Sequence, residues 1–552
     1  MDTQPEARLR RNAEVYDSLI ALLQGLRRQV DGESTLLTVE AIAQFAANYH
    51  VGRFADGALE NPAFDVGASL NSTAGRSTPA GPTGNSVRRS TVLHVATGAT
   101  LFGGVGRTIL NWILADDQHR HLLALTKDHN LSTTLEQAVA SSGGAVTRLR
   151  GRLLERAATL RGLAEHADLV FLHHGRADAL PIAAFAAGGL PPVGLVNQAD
   201  HTFWLGKSVA DVIVHQRVVG LPLSIERRAS QHNVSLPIPL RDPFESVSVG
   251  TSRDRARQAL GIPSSQLMLA SVGRAIKFIP NASHNFFSTM TKLLERHRDA
   301  HVYLVGPTLE EILPSELRAV HPRIHFVGYQ PDPSIYIAAC DVYLESYPFG
   351  SQTSCLEACL GARPPILAYA PESPLFVFHD ESVAGLLSTA ATEAEYLDQA
   401  SVVIGDRQGR LSLGEQVRER VLAAHVGPGW LTQLDTMYQT MSRRGHVPAP
   451  IAVEPGGTTS YDVDLATFLE AQAWRPLASS SHRIRLGILS DLATSLYTDS
   501  NRRDMMALLR GIWSQSRGPQ DVAVAAVVTG AALARAGRRA YAATPANVLR
   551  EA

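Results

Sequence analysis

The sequence predicts an α/β protein with two Rossmann-like domains facing a cleft and helical extensions at both ends. Short apolar strands alternate with helical segments in two successive blocks, which is typical of parallel sheets covered by helices. A segment with three prolines, from Ser235 to Ser246, separates the blocks. Small, polar and charged residues follow several of the strands, where open α/β sheets bind ligands.

The first block begins after a stretch rich in glycine, serine, threonine and proline. Its first apolar run, TVLHVAT from Thr91, leads into a glycine-rich turn between Gly98 and Gly106. Further strands are predicted from residues 121, 167, 191 and 210. The second block repeats this plan, with strands predicted from residues 267, 301, 323, 341 and 364. We therefore place the domains at 89–240 and 241–442.

The two ends of the chain have a different residue pattern from the two α/β blocks. Apolar residues recur at helical spacing through residues 1–66, and residues 67–88 resemble a flexible linker. Residues 443–552 begin as a proline-rich linker and continue with helical patterns. If the linker separates the first 66 residues from the α/β core, removal of residues 1–86 leaves ligand binding by that core largely intact.

The composition favours a globular protein and gives no sign of a nucleic-acid partner. The 552 residues are 45% hydrophobic and 19% charged, with a formal net charge of −1. The three cysteines show no metal-ligand spacing, so buried thiols are expected. The N-terminus has no signal-peptide pattern, and the apolar run from Val522 to Ala534 is too short to span a membrane. These features predict a cytoplasmic protein.

The segment from Asp341 to Ala370 carries the strongest sign of a ligand site. A strand ends near Ser346, a loop with Ser351, Gln352 and Thr353 follows, and a helix begins there. Free amides at a helix N-terminus favour phosphate, which predicts a diphosphate cradle. An ordinary strand–loop–helix unit with a capped helix remains an alternative.

Three charged residues could complete this diphosphate site. Arg274 and Lys277 follow a predicted strand and could stabilise a leaving diphosphate. Glu357 lies one turn into the helix and could bind a ribose diol. It also fits a capping box with Ser354, and the two cations could be surface charges.

The first block supplies candidates for the opposite wall of the cleft. Gly103 and Gly104 lie in the glycine-rich turn, and Asp200 and His201 lie in the polar and aromatic loop NQADHTFWLG. His201 is the candidate catalytic residue, and His173 and His174 at another strand end are weaker candidates. The chain has no G-x-G-x-x-G, complete Walker or G-x-S-x-G motif, and no D-x-D pair at a strand end. We therefore expect no cofactor and no metal.

The run of motifs resembles the GT-B glycosyltransferases, especially the glycosyl transferases group 1 family. The resemblance covers residues 90–440 and includes VGR at Val272, FVGY at Phe326 and LEACLGARPPI at Leu356. The loops NQADHTFWLG and FGSQTS resemble a bacterial subset that is similar to O-linked N-acetylglucosamine transferases. Glu357 matches the second glutamate of the family's E-x7-E motif, whereas Phe349 stands where the first would be.

The resemblance implies hexosyl or N-acetylhexosaminyl transfer from a nucleoside-diphosphate sugar to a glycan, lipid or protein acceptor. It implies that Arg274, Lys277, the Ser351–Thr353 loop and Glu357 hold the donor, and that His201 faces the acceptor or the sugar. Two alternatives remain: a nucleotide-sugar epimerase of the same fold, and a non-catalytic scaffold that uses its helical ends to bind partners.

Overall fold

The computed structural model of the chain describes residues 5–71, 89–101, 104–245, 248–281, 283–312, 320–371, 373–453 and 456–472. It also describes residues 489, 509–510, 512, 525–526 and 528–529. The helices are α1 (Pro5–Leu26), α2 (Gly32–Tyr49), α3 (Gly57–Asn71), α4 (Gly104–Ala115), α5 (Thr133–Ser141), α6 (Leu153–Ala164), α7 (Leu180–Phe185), α8 (Leu221–Arg228), α9 (Val249–Leu260), α10 (Phe286–Arg296), α11 (Leu309–Ile312), α12 (Ser334–Ala339), α13 (Gln352–Leu360), α14 (Glu393–Gly405), α15 (Arg407–His425), α16 (Gly427–Ser442) and α17 (Ser460–Gln472).

Two parallel sheets form the centres of two Rossmann-like domains. The N-terminal sheet has the order β3-β2-β1-β4-β5-β6-β7 and the C-terminal sheet the order β10-β9-β8-β11-β12. The strands are β1 (Thr91–Ala96), β2 (Arg120–Leu125), β3 (Val146–Arg148), β4 (Leu169–His173), β5 (Val193–Asn197), β6 (Val212–His215), β7 (Asn233–Ser235), β8 (Leu267–Val272), β9 (Ala300–Val305), β10 (Ile324–Gly328), β11 (Val342–Leu344) and β12 (Pro365–Ile366). The predicted fold class and all ten predicted strands are confirmed.

The N-terminal helices are part of the N-terminal domain. Helix α3 continues to Asn71, five residues into the predicted linker, and Gly67 lies so close to Ala183 that a methyl group would clash with its backbone. Buried residues of α1, α2 and α3 belong to the same apolar core as α6, α7 and the sheet. The premise that a linker separates these helices from the α/β core is therefore wrong, and their loss would expose that core.

Helix α16, the last helix of the predicted C-terminal domain, packs on the N-terminal domain. Trp430, Met437 and Tyr438 of α16 contact the core on the N-terminal sheet, where Trp112 donates to the Tyr438 hydroxyl at 2.8 Å. Helix α15 stays with the C-terminal domain. The chain thus crosses back between the domains near residue 426, sixteen residues before the predicted boundary. The three cysteines are buried and unpaired, as expected.

A buried carboxylate links α2 to the start of α6. Glu33 accepts the backbone amides of Leu153 and Leu154 at 2.7 and 3.0 Å, and these amides have no partner within their own helix. We expect Glu33→Ala to lower the free energy of unfolding by about 1–2 kcal/mol, as the loss of a helix cap does. Chemical denaturation would measure the loss. Glu136→Ala, at an exposed ion pair, is the control, and an equal loss in both variants would contradict the capping role.

Candidate functional site

The carboxyl ends of both sheets line one cleft between the domains. Its walls come from the loops after β1, β5 and β6 on one side and after β8, β9, β10 and β11 on the other. The cleft has a volume of about 880 Å³. That is in the range of sites that enclose a cofactor-sized ligand.

The floor of the cleft is the N-terminus of α13, as the sequence predicts. Ser351 is the N-cap residue, but its side chain makes no capping hydrogen bond. Its hydroxyl lies 3.2 Å from the Ser346 hydroxyl instead. The first amides of the helix therefore remain available to an anionic ligand.

Glycine at position 273 lets three elements meet at this floor. A methyl group on Gly273 would lie 3.1 Å from both the Lys277 side chain and the Ser351 hydroxyl. Gly306 has a φ of +118°, and a methyl group there would lie 2.1 Å from the Gly273 carbonyl oxygen. Gly306 therefore needs glycine for the strand-end loops to approach this closely, whereas a methyl group at Gly273 would require small shifts of its two neighbours.

The two predicted cations lie in the same cleft but in different environments. Lys277 donates to the Gly350 carbonyl at 2.5 Å, and its nitrogen lies 5.0 Å from the centre of the Phe349 ring. Burial, assisted by Arg274, lowers the pKa of Lys277 to about 7. Arg274 is exposed, and in the part of the chain that the structure describes it forms no ion pair.

Glu357 lines the cleft and forms no capping box. Helix α13 begins at Gln352, so Ser354 lies inside the helix and is not its cap. The Glu357 carboxylate accepts a hydrogen bond from Arg107 of α4 at 2.6 Å, across the cleft. Burial raises the pKa of Glu357, and the Arg107 charge opposes that shift.

The remaining residues of the predicted donor loop differ in what their side chains do. Thr353 lines the cleft. Gln352 also lines it, but its amide donates to the His379 carbonyl at 2.9 Å and accepts the His379 amide at 3.1 Å. The Gln352 side chain therefore holds a neighbouring loop, and only its backbone amide remains available to a ligand.

Asp200 and His201 line the same cleft from the N-terminal domain. Arg217 donates to both oxygens of Asp200, at 2.9 and 2.7 Å, and the Asp200 carboxylate lies 3.4 Å from His201 Nδ1. Burial would raise the pKa of Asp200, but Arg217 and His201 hold it well below its usual range. Burial lowers the pKa of His201, with Asp200 opposing, so the imidazole is neutral at pH 7.

The other candidates in the N-terminal domain differ in whether they line the cleft. Gly104 begins α4 and lines the cleft, with open space around its Cα. Gly103 lies outside the described residues. His173 and His174 are not among the residues that line the cleft. His173 bonds to His94 at 3.1 Å, and His174 bonds to the Leu205 carbonyl at 2.7 Å.

Three cleft or near-cleft residues were missed by sequence reasoning. Arg107 and Arg217 line the cleft, and buried Glu345 accepts the amides of Ala368 and Phe378 behind it. Burial raises the pKa of Glu345 to about 7. Arg217 and Glu345 each follow a strand within two residues, so the rule that led to Arg274 could have found them.

The search for metal and membrane features covers only the described ranges. Within them, no group of three or more histidine, cysteine, aspartate or glutamate side chains could hold a metal ion. Asp462, part of the sequence D-V-D, is buried at the start of α17 and binds His50 and Arg227. None of the described helices has the length and apolar character to cross a bilayer.

Comparison with known proteins finds similarity only at the level of structure. No family model and no curated protein matches the sequence. Anabaena Alr3699/HepE in complex with UDP is 17% identical with a TM-score of 0.49, over 64% of this chain and all of that chain. A mutant O-GlcNAc transferase from Thermobaculum terrenum is 16% identical with a TM-score of 0.47, over 78% of this chain and 84% of that one.

A third similar structure is the sucrose-phosphate synthase of Thermosynechococcus elongatus, which is 14% identical. Its TM-score is 0.44, over 64% of this chain and 99% of that chain. The two parallel sheets of this chain, whose carboxyl ends line one cleft, have the arrangement of two Rossmann-like domains. In fold, the chain resembles the GT-B glycosyltransferases.

Proposed function

We propose that the chain is a glycosyltransferase that moves a sugar from a nucleoside-diphosphate sugar to an acceptor. One observation carries the proposal: Lys277, Arg274 and the uncapped N-terminus of α13 converge in a cleft that His201 faces from the other domain. Cations and free amides together match a diphosphate. The hexosyl or N-acetylhexosaminyl nature of the sugar is part of the proposal.

In the proposed reaction, the bond between the anomeric carbon and the β-phosphate oxygen breaks, and its electron pair stays on that oxygen. Lys277, Arg274 and the α13 amides stabilise the charge that develops there. The acceptor hydroxyl oxygen forms the new bond to the anomeric carbon. Its proton passes to a base, for which neutral His201 is the candidate if the reaction inverts the configuration.

The same cations support a reaction that needs no divalent metal and no further cofactor. Fixed positive charge and helix amides at the diphosphate fulfil the role that a metal ion has in other sites. Activity that is lost with EDTA and restored with manganese would overturn this part of the proposal.

The direct test is a thermal-shift screen against UDP, GDP, ADP and their sugars. A ligand that binds the folded protein raises the melting temperature by mass action. We expect one nucleoside diphosphate to stabilise the wild-type chain and to stabilise Lys277→Ala less. No shift with any of them would favour a scaffold, and an isomerised sugar without acceptor would favour an epimerase.

Arg107 bonds to the Glu357 carboxylate, which is the group that the donor ribose would need. In the proposed complex the ribose hydroxyls replace Arg107 on Glu357, so removing Arg107 removes a competitor. We expect Arg107→Ala to tighten nucleoside-diphosphate binding about two- to fivefold, since a partly exposed ion pair contributes about 0.2–1 kcal/mol. Calorimetry would measure the Kd, with Arg148→Ala at a remote ion pair as the control. Weaker binding by Arg107→Ala would instead show that Arg107 contacts the donor.

Nucleotide binding should depend on pH through Lys277. Because burial lowers its pKa to about 7, the ammonium is lost as pH rises through neutrality. A diphosphate binds the charged form, so we expect the Kd to rise above pH 7, by up to about tenfold per unit. Lys277→Arg stays charged and should show a flatter profile. Identical profiles for both proteins between pH 6.5 and 8.5 would contradict the role of Lys277.

A further inference from the structure

Helix α17, in the region after the C-terminal domain, is fastened to the N-terminal domain by buried and partly buried charges. Asp462 accepts from His50 at 2.8 Å and from Arg227 at 3.0 Å, and the side chains of Asp462 and His50 are fully buried. Glu470 pairs with Arg11 at 2.6 Å and with Arg8 at 3.2 Å. Both ends of the helix are therefore held by the N-terminal domain.

The other face of α17 packs on the donor side of the cleft. The Phe468 ring stacks on Phe349 at 4.9 Å and on Phe376 at 4.7 Å, with interplanar angles of 22° and 26°. Phe349 and Phe376 line the cleft, and Phe468 lies behind them. The helix thus spans from the N-terminal domain to the cleft wall of the C-terminal domain.

Phe349 is the ring on which the proposed phosphate-binding lysine rests. The Lys277 nitrogen lies 5.0 Å from its centre, and the His201 ring lies 5.3 Å away on the other domain. A continuous series of contacts therefore runs from α17 through Phe468 and Phe349 to Lys277. A cation over an aromatic face is stabilised only while the ring keeps its orientation.

We propose that α17 is an interdomain clasp and that Phe468 is a positioning residue, which holds Phe349 beneath Lys277. This inference rests on the proposed function for the role of Lys277 in catalysis, but the contact itself does not depend on it. Without the Phe468 ring, Phe349 loses its stacked neighbour, and water reaches the ammonium group.

Three variants separate positioning from ordinary packing. Phe468→Ala removes the ring, and Phe468→Tyr keeps it. Leu465→Ala removes a fully buried side chain from the same helix and the same apolar cluster but keeps all the rings of the aromatic stack. All three are compared with the full-length wild-type chain after thermal unfolding shows that each is folded.

The readout is the pH profile of lysine labelling, measured at each site by mass spectrometry. The chain contains four lysines, Lys127, Lys207, Lys277 and Lys292, so three internal controls accompany Lys277. An amine-reactive reagent modifies the neutral amine, and the midpoint of the profile reports how easily each ammonium loses its proton. Three charged groups influence the Lys277 pKa, namely Arg274, Glu345 and Arg217. None of the variants changes them.

Loss of the Phe349 contact alone would lower the Lys277 midpoint, but burial is the largest influence on this ammonium. We therefore expect the entry of water in Phe468→Ala to raise the midpoint by about one pH unit, toward the ordinary value of ~10.4, and to leave the other three unchanged. Phe468→Tyr and Leu465→Ala should keep the wild-type midpoint. An unchanged Lys277 in Phe468→Ala, a common shift of all four lysines, or an equal shift in Leu465→Ala would overturn the proposal.

Kinetics then connect the clasp to the reaction. We expect Phe468→Ala to lower kcat about two- to tenfold, the range that the loss of an aromatic pair allows, with a smaller rise in KM. Recovery of kcat in Phe468→Tyr is expected, and its absence would overturn the positioning role. Labelling needs no donor, so a chain that binds no nucleotide would refute the proposed function while leaving the Lys277 shift measurable.

Discussion

Replacement of Lys277 by alanine should lower kcat by about 10²–10³, which corresponds to about 2.7–4 kcal/mol of transition-state stabilisation. The loss is large because the lysine is held in a buried position, with its nitrogen 2.5 Å from the Gly350 carbonyl and over the Phe349 ring. The donor keeps its ribose and helix-terminus contacts in the ground state, so KM should rise less than kcat falls. Steady-state kinetics with the donor found by thermal shift would measure both.

Arg274 and Lys292 provide the comparison. Arg274→Ala should also lower kcat more than it raises KM, but by less than Lys277→Ala, because solvent screens its exposed guanidinium. Lys292→Ala removes an exposed cation that pairs with Glu393 and does not line the cleft, and it should leave kcat unchanged. A wild-type kcat in both Lys277→Ala and Arg274→Ala would show that the pair is only surface charge.

Most strands of the two sheets could be predicted from the sequence because buried parallel strands form near-continuous apolar runs. Strands such as β1 and β8 are buried at every position and stand out from their flanks. The two strands that were missed, β3 and β7, have three residues each and no buried position. They extend the sheet edge without contributing to the core, so they leave no apolar signal.

The site was predictable where one strand end supplies several residues, and not where two domains meet. Lys277 and Ser351 each follow a strand, and the rule for strand ends is enough to place them. The contact between Arg107 and Glu357 joins residues 250 positions apart, and no local pattern predicts it. The packing positions of α3, α16 and α17 were also not predictable. Composition indicates where a linker lies, but it does not indicate where the next helix packs.

Asp200 has the largest expected effect on stability. Asp200→Ala leaves Arg217 with no carboxylate, and removing one partner of a buried ion pair costs about 3–5 kcal/mol. Arg217 keeps its bonds to the Leu375 and Val377 carbonyls at 2.9 and 3.1 Å, so we expect a loss near the lower limit. Chemical denaturation would measure it. Asp398→Ala, at an exposed ion pair, should stay within about 0.5 kcal/mol of wild type.

The pH dependence of that loss identifies its cause. Burial would raise the pKa of Asp200, but Arg217 and His201 hold it below the value of about 3.9 that an unfolded aspartate has. A depressed carboxylate pKa contributes stability that is fully present above the unfolded value and is lost as pH falls toward the folded one. The difference in unfolding free energy between wild type and Asp200→Ala should therefore be constant near neutral pH and shrink below about pH 4. A difference that stays constant down to pH 3 would mean that Asp200 stabilises the protein by packing alone. Its charge would then have no part in holding Arg217 and the 375–377 loop beside His201.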